Sequence, residues 1–336
     1  MYKKFTANKD SFIDKKLGEN NFGKDELLEV GRIISSSAVY PKRSLISFDI
    51  SVISASFAAG SINSGSNFEL LVHSNQGSTM LQDAFYIDAY ILSSSWQEGT
   101  GSVSDNNASG SVSWISSSTA AWVTTGSDYL ASPTASQYFP TSSGDLSLDV
   151  TTIISQSINS EYDNYGFLIR LRDESTVQNQ DPKYFYSKDS FTIYDPVIYA
   201  KWNDVATTGS VADSSASVEY VVTLKNKQEV YSIQEQVYCE LHTRLQDPTL
   251  TFDTSVGSLS SIPLTNLAYT IIDTATKETV IPFSAYTSCS YDSSKNYFNI
   301  DMDVLQPNRA YSLKLQHSLA SNVKKFYHVH SFRTTE

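Results

Sequence analysis

The sequence predicts an all-β protein made of antiparallel sandwiches, on three observations. Ser and Thr make up about a quarter of the 336 residues, and 21 Tyr and 16 Phe stand against 3 Met, a mix rich in strand formers and poor in helix formers. Apolar and polar residues alternate with a period near two over 44–50, 84–92, 191–194 and 218–224, the pattern of strands with one face buried. Clusters of Ser, Gly, Asn and Asp separate such runs at intervals of about ten residues, which favours hairpins over βαβ units.

Taken in chain order, the strand at 44–50 ends at Asp49, a residue able to hydrogen-bond loop amides and hold a turn. Helical pieces are expected as a turn near 25–30 and as a segment over 150–159 capped by Asp149 or Thr151. The Gly/Ser/Asn-rich stretches 61–67 and 99–118 read as exposed loops, with a Ser-rich strand edge as the alternative, and 203–217, small and polar, reads as a linker. A new set of strands begins at Val218 and finishes over 326–332. The expected organisation is a domain at 1–203, a linker at 204–217 and a domain at 218–336, in keeping with a length that accommodates two cores. No fixed-period repeat argues for a solenoid or propeller.

Charge and composition narrow the partners. With 24 Lys plus Arg against 36 Asp plus Glu, the net charge is -12, and no segment is basic enough to follow a phosphate backbone, so nucleic acid is not expected as a partner. No apolar run is long enough to span a bilayer, and the opening residues lack a signal-peptide core, so membrane insertion is not expected and synthesis and assembly in a cytoplasm are. Cys239 and Cys289 make no disulfide framework and read as buried thiols.

Signatures of catalysis were sought in spacing. The chain has no G-x-S-x-G elbow, phosphate-binding loop, H-E-x-x-H or C-x-x-C, and its carboxylates offer no preferred pair for glycoside hydrolysis. No catalytic residue and no cofactor are therefore assigned. The weak metal candidate is His328 with His330, alternate residues on a final strand that could share an ion with His317 or His242; the plain reading is two solvent-facing imidazoles. Asp301 with Asp303, and 145–149, could hold calcium with loop carbonyls, or could be solvated acidic faces. Trp96, Trp114 and Trp122, in or beside Gly/Ser-rich loops, are the candidate glycan-stacking residues, with core-edge packing as the rival reading. The segment before Lys9 could reach over an adjacent subunit or fray.

Ordered pieces of the first 200 residues carry a resemblance. They are the opening Asp10–Ile13, then 20–23, 28–31 and 43–50, then Trp96-Gln97-Glu98-Gly99-Thr100 and 112–114, then 148–151, 165–170, Tyr186-Ser187-Lys188-Asp189 and 195–199. In that order over residues 8–203 they resemble the DNRLRE family of β-sandwich domains, with Ser187-Lys188-Asp189-Ser190 departing from the family's charge pattern. The resemblance implies a jelly-roll-like sandwich of the kind found on secreted carbohydrate-active enzymes, surface proteins and phage virion proteins, and it implies architecture rather than chemistry. Further on, 305–315 places Leu, Pro, Asn and Tyr as in the loop entering a late strand of immunoglobulin-type or fibronectin-type modules, so a smaller immunoglobulin-like sandwich is expected there.

The expected function is that of a non-enzymatic bacteriophage virion structural protein of the neck, tail, baseplate or capsid decoration layer, assembled in the host cytoplasm and located in the virion. It would dock through sandwich loops and edges on portal, neck, tail or capsid subunits, as a homo-oligomer in a symmetric assembly. A carbohydrate-binding host-receptor module recognising a host glycan is the first alternative, and a hydrolytic tail protein acting on host surface polysaccharide the second.

Overall fold

In the computed structural model, residues 1–75, 84–105, 111–118, 120–141, 143–176, 180–209, 218–247, 260–319 and 323–336 are described. They divide into two units, Lys4–Ala200, and Met1–Lys3 together with Lys201–Glu336. Among the described residues no helix is long and apolar enough to cross a membrane.

The strands of the first unit are β1 (Tyr2–Thr6), β2 (Lys9–Asp14), β3 (Leu27–Ser35), β4 (Ala38–Ser47), β5 (Asn67–Val72), β6 (Ser74–Asn75), β7 (Phe85–Leu92), β8 (Tyr129–Phe139), β9 (Leu146–Asp149), β10 (Phe167–Leu171), β11 (Gln180–Tyr186) and β12 (Val197–Lys201). One sheet has the order β1-β12-β5-β9; the other runs β6-β11-β3-β4-β10-β7-β8, with β2 also paired to β4. The chain returns to the smaller sheet at β5, β9 and β12 between runs of strands in the larger one, the two-sheet arrangement of a jelly-roll-like sandwich. Phe68, Leu70 and Val72 of β5, and Ile87, Ala89 and Ile91 of β7, are buried at alternate positions, as a period of two requires.

Two helices, α1 (Ile50–Ala58) and α2 (Thr151–Ile158), pack on each other, and α2 also packs on β5 and β8. The Asp49 carboxylate accepts from the Ser51 amide at 2.9 Å and caps α1. That helix goes beyond the turn expected after residue 49. The Asp149 carboxylate accepts from the Thr151 amide at 2.9 Å at the start of α2. The turn expected at 25–30 is instead the start of β3, because Leu28 and Val30 alternate into the core and pair with Phe185 and Lys183 of β11. The strand expected at 191–194 is a turn, entered through Phe191 at φ 52°.

The second unit holds β13 (Tyr220–Leu224), β14 (Val230–Ser232), β15 (Gln236–Leu245), β16 (Leu267–Asp273), β17 (Thr279–Ile281), β18 (Ser290–Tyr291), β19 (Asn296–Asp301), β20 (Ala310–Ser318) and β21 (Lys324–Thr335). Its sheets are β13-β15-β19-β18 and β14-β21-β20-β16-β17, with β14 running parallel to β21. This is the immunoglobulin-like arrangement of an A-B-E-D sheet facing a sheet built on G, F and C. Tyr311, 1% exposed at the start of β20, accepts from the Gln306 amide at 2.9 Å and donates to the Gln306 carbonyl at 3.3 Å. That tyrosine corner is the physical content of the spacing noted at 305–315. Cys239 and Cys289 are both buried thiols.

The boundary residues are placed differently from expectation. Ala206 donates to Ser290 Oγ at 3.0 Å and Thr208 to the Tyr291 carbonyl at 3.0 Å, so the described part of the 204–217 segment is built into the second unit. Residues 210–217 lie outside the described residues. Met1 is 3% exposed, and its ammonium donates to the carbonyls of Trp202 at 2.7 Å and Tyr286 at 2.5 Å. Lys3 pairs with Asp301 at 3.1 Å and Asp303 at 3.0 Å. The segment expected to reach over a neighbour is instead anchored in its own chain, where these groups find partners they would otherwise need from water.

Candidate functional site

The described residues between β7 and β8, 93–105, 111–118 and 120–128, fold back over the outer face of the larger sheet and form its cover. Gln97 donates to the Ser117 carbonyl at 3.0 Å, Val112 to that of Gln97 at 2.8 Å and Gly126 to that of Trp114 at 2.7 Å. The Asp128 carboxylate gathers the amides of Val123 at 3.0 Å and Thr124 at 2.7 Å. Gly126 has φ 90°, and a Cβ there would lie 2.7 Å from the Trp114 ring, so only glycine fits.

This folding decides the fate of the tryptophans. Trp96, Trp114 and Trp122 are 1%, 6% and 5% exposed and form a second small core with Ile13, Leu45, Leu92, Val112 and Leu168. Trp96 Nε1 donates to the Tyr165 carbonyl and Trp122 Nε1 to that of Ser113, each at 2.9 Å. The expected stacking platform is therefore corrected: these indoles are packing residues with no ring face to offer a sugar.

The family-like motifs converge at one place beside that cover. Asp10 of β2, Glu98 and Asp189 bring carboxylate oxygens within 4.8 Å of one another, the one such group of three among the described residues. Lys188 reaches Glu98 at 3.0 Å and Asp189 at 2.7 Å, and Lys24 reaches the same two at 3.2 Å each. Asp10, 1% exposed, accepts from Ser187 Oγ and from the Lys188 amide, both at 2.8 Å. Burial pushes the Asp10 carboxyl up to about 7 despite those bonds, while the neighbouring carboxylates raise Lys188. Two ammonium groups already neutralise this cluster, so it acts as a clamp joining β2, the cover and the segment after β11. Asn21 completes it, donating to the carbonyls of Glu98 at 2.7 Å and Val112 at 2.8 Å.

Loops of the same unit present apolar side chains to solvent. Leu17 is 45% exposed, Ile115 41%, Val123 95% and Phe191 93%. The first three belong to adjoining backbone segments, since Ile115 donates to the Gly18 carbonyl at 3.3 Å and Trp122 to that of Ile115 at 3.1 Å. Phe191 directly follows a short 3₁₀ turn, Lys188–Ser190, that carries the clamp residues Lys188 and Asp189.

The histidine pair is also corrected. A register shift in β21 sets His330 opposite Leu313 but His328 opposite Lys314, which breaks the alternation that would align the two rings. His328 hydrogen-bonds Ser312 and Ser331, and His330 the Gln228 carbonyl. His317 is buried in β20 and His242 lies in β15 of the other sheet, so the four do not form one ligand set. Asp301 and Asp303 hold Lys3 as described above. Asp145 holds His73 at 3.1 Å and the Ser74 amide at 2.7 Å, while Asp149 serves α2. Each pair expected to take calcium thus has a partner from the chain itself.

Where the cover ends, the outer face continues as a polar and aromatic surface that the sequence reading did not single out. Arg43 binds Glu174 through Nε at 2.9 Å and Nη2 at 2.6 Å and lies 4.8 Å from the Trp114 ring centre. Arg170 meets Glu174 at 2.8 Å and Tyr129 Oη at 2.8 Å. Arg172 binds Asp88 through Nε at 3.0 Å and Nη2 at 2.8 Å and stacks 4.0 Å over Tyr86. A cleft of about 430 Å³ lies between these groups and the cover, lined also by Lys15, Thr125, Asp173 and Ser175.

No family model and no curated protein matches the chain. Among solved structures it aligns with the adhesin domain of Epf from Streptococcus pyogenes at 9% identity, over 98% of this chain and 92% of that one, with a TM-score of 0.17. At that score the likeness carries no argument.

Proposed function

We propose that the protein is a non-enzymatic structural subunit that docks on neighbouring proteins through the loop end of its first sandwich, and that its setting is a bacteriophage particle. The observation that carries the docking role is the exposure of Leu17, Ile115, Val123 and Phe191 on loops held by their own hydrogen bonds, Ile115 to Gly18, Val123 and Thr124 to Asp128, and Asp189 to Ser187. Large apolar groups at 93–95% exposure cost solvation in the free chain, and Phe191 adds the strain of φ 52°, about 1–3 kcal/mol for a non-glycine residue. Contact with a partner's apolar pocket would offset both, and locked loops lose little entropy on docking. The virion setting is supported by the resemblance of residues 8–203 to a domain of the kind found on phage virion proteins.

The test is incorporation. Particles purified after expression of Phe191→Asp and Val123→Asp variants should lack the variant chain, while its melting temperature matches that of the parent. Normal incorporation of both variants would remove the docking role. Recovery of the parent chain from host culture with no particle attached would remove the setting.

A further inference from the structure

We infer that residues 324–329 of β21 form a docking edge for an acidic, extended segment of another protein, which adds a strand to the larger sheet of the second unit. This surface goes beyond the docking reading, which concerns loops of the first unit.

An open backbone edge is the first support. On one side β21 pairs with β20 from Lys324 to Arg333, whereas on the other β14 pairs with it at Arg333, Thr334 and Thr335 alone among the described residues. The chain leading into β14 reaches a little further, since the Glu229 carbonyl accepts from the Arg333 amide and the Gln228 carbonyl meets His330. Before that point, over 324–329, no described strand lies along this side, a length of about 20 Å. Such an edge presents alternate amides and carbonyls in the plane of the sheet, a row that another extended backbone satisfies in register. Lys325 does not fill it, because its ammonium reaches to the Val218 carbonyl and to Glu219, each at 2.8 Å.

Charge selects the occupant. Over their 9 and 12 residues β20 and β21 carry Lys314, Lys324, Lys325 and Arg333 and no Asp or Glu, on a chain whose net charge is -12. Lys314, Lys324 and Arg333 are exposed and make no ion pair among the described residues. Lys324, Phe326 and His328 lie at alternate positions, opposite Ser318, Gln316 and Lys314 of β20, and Phe326 is 62% exposed. An added strand with carboxylates at every second residue complements that face. Tyr327, opposite the buried Leu315, lies on the other face, so the residues between the carboxylates are apolar. A second copy of β21 is excluded as the occupant by the same reasoning, because it would set one cationic strand beside another. The lysines thus turn away basic strands and admit acidic ones.

The experiment is calorimetric titration of the full chain with the acetylated peptide EVEVEVE, its basic counterpart KVKVKVK and inorganic tripolyphosphate, with amide hydrogen exchange followed over 324–329. The acidic peptide should bind, with an affinity that falls as salt rises, and should slow exchange over 324–329; the basic one should bind at least about tenfold more weakly. Lys324→Glu should weaken the acidic peptide by about tenfold without change in melting temperature, since that side chain is exposed and unpaired. No binding of the acidic peptide, equal binding of the two, or indifference to Lys324→Glu would overturn the surface. Binding that leaves exchange over 324–329 unchanged, or tripolyphosphate binding as tight as the peptide, would sink strand addition. Exchange there that slows as the chain's own concentration rises would make a second copy the occupant and overturn the acidic one. Particle incorporation of Phe191→Asp bears on the first unit's loops alone, so the two readings fail separately.

Discussion

Asp10 is where the chemistry of a single residue becomes a property of the whole fold. Its carboxyl is held up to about 7 by burial, above an unfolded value near 3.9. The folded state therefore keeps a proton that the unfolded chain releases, and stability falls as pH rises from about 4 to about 7. Asp10→Asn should flatten that part of the stability profile, read as urea midpoints at pH 4.5 and pH 8; an unchanged slope would show that Asp10 is ionised at neutral pH. Trp96 makes a second residue-scale case. Its burial at 1% predicts that Trp96→Ala costs about 3–5 kcal/mol, visible in thermal unfolding, whereas a surface platform would lose almost nothing. Tyr311→Phe removes the corner bonds to Gln306 and should cost about 1 kcal/mol by leaving the part-buried Gln306 amide unpaired, while its carbonyl keeps Thr334 Oγ1.

Among the elements, legibility follows how local the determining contacts are. β7 and β13 were readable because alternation at 84–92 and 218–224 reflects a sheet with one buried face, and α2 because Asp149 and Thr151 signal its start. α1 was not readable. Ile50–Ala58 is made of Ser, Val, Ile, Phe and Ala without a charged residue, so its weak intrinsic preference continues the strand pattern before it, and packing against α2 decides the outcome. The apparent alternation at 191–194 misleads for the opposite reason, since Phe191 faces solvent rather than a core. The stretch 99–118 within the cover reads as an exposed Gly/Ser loop because what buries the cover's tryptophans is a sheet face assembled from β2, β4, β7 and β10. The arginine and tyrosine surface escapes notice for the same reason, its members being spread over more than 120 positions of the sequence. Gly126→Ala tests the cover as an element: at φ 90° and 2.7 Å from Trp114, the added methyl should lower the melting temperature and raise the fluorescence of newly exposed indole. A variant as stable as the parent would mean the cover does not close on Trp114.

At the level of the molecule, two all-β units account for the composition with which the sequence began, and the tyrosine corner and strand order give the second its immunoglobulin-like character. Its integrity depends on residues remote in sequence. Deleting Met1–Lys3 removes the partners of Asp301, Asp303, Tyr286 and Trp202 and should lower the thermal transition of the second unit, read by calorimetry. A transition of that unit at the parent's temperature would contradict the anchoring role of those residues. The connectivity also makes the first unit an insertion within the second. During synthesis Lys3 leaves the ribosome 298 residues ahead of Asp301. At about 5–20 residues per second it waits roughly 15 to 60 s for its counter-ions, an interval in which the inserted sandwich can fold to completion while the enclosing one stays open.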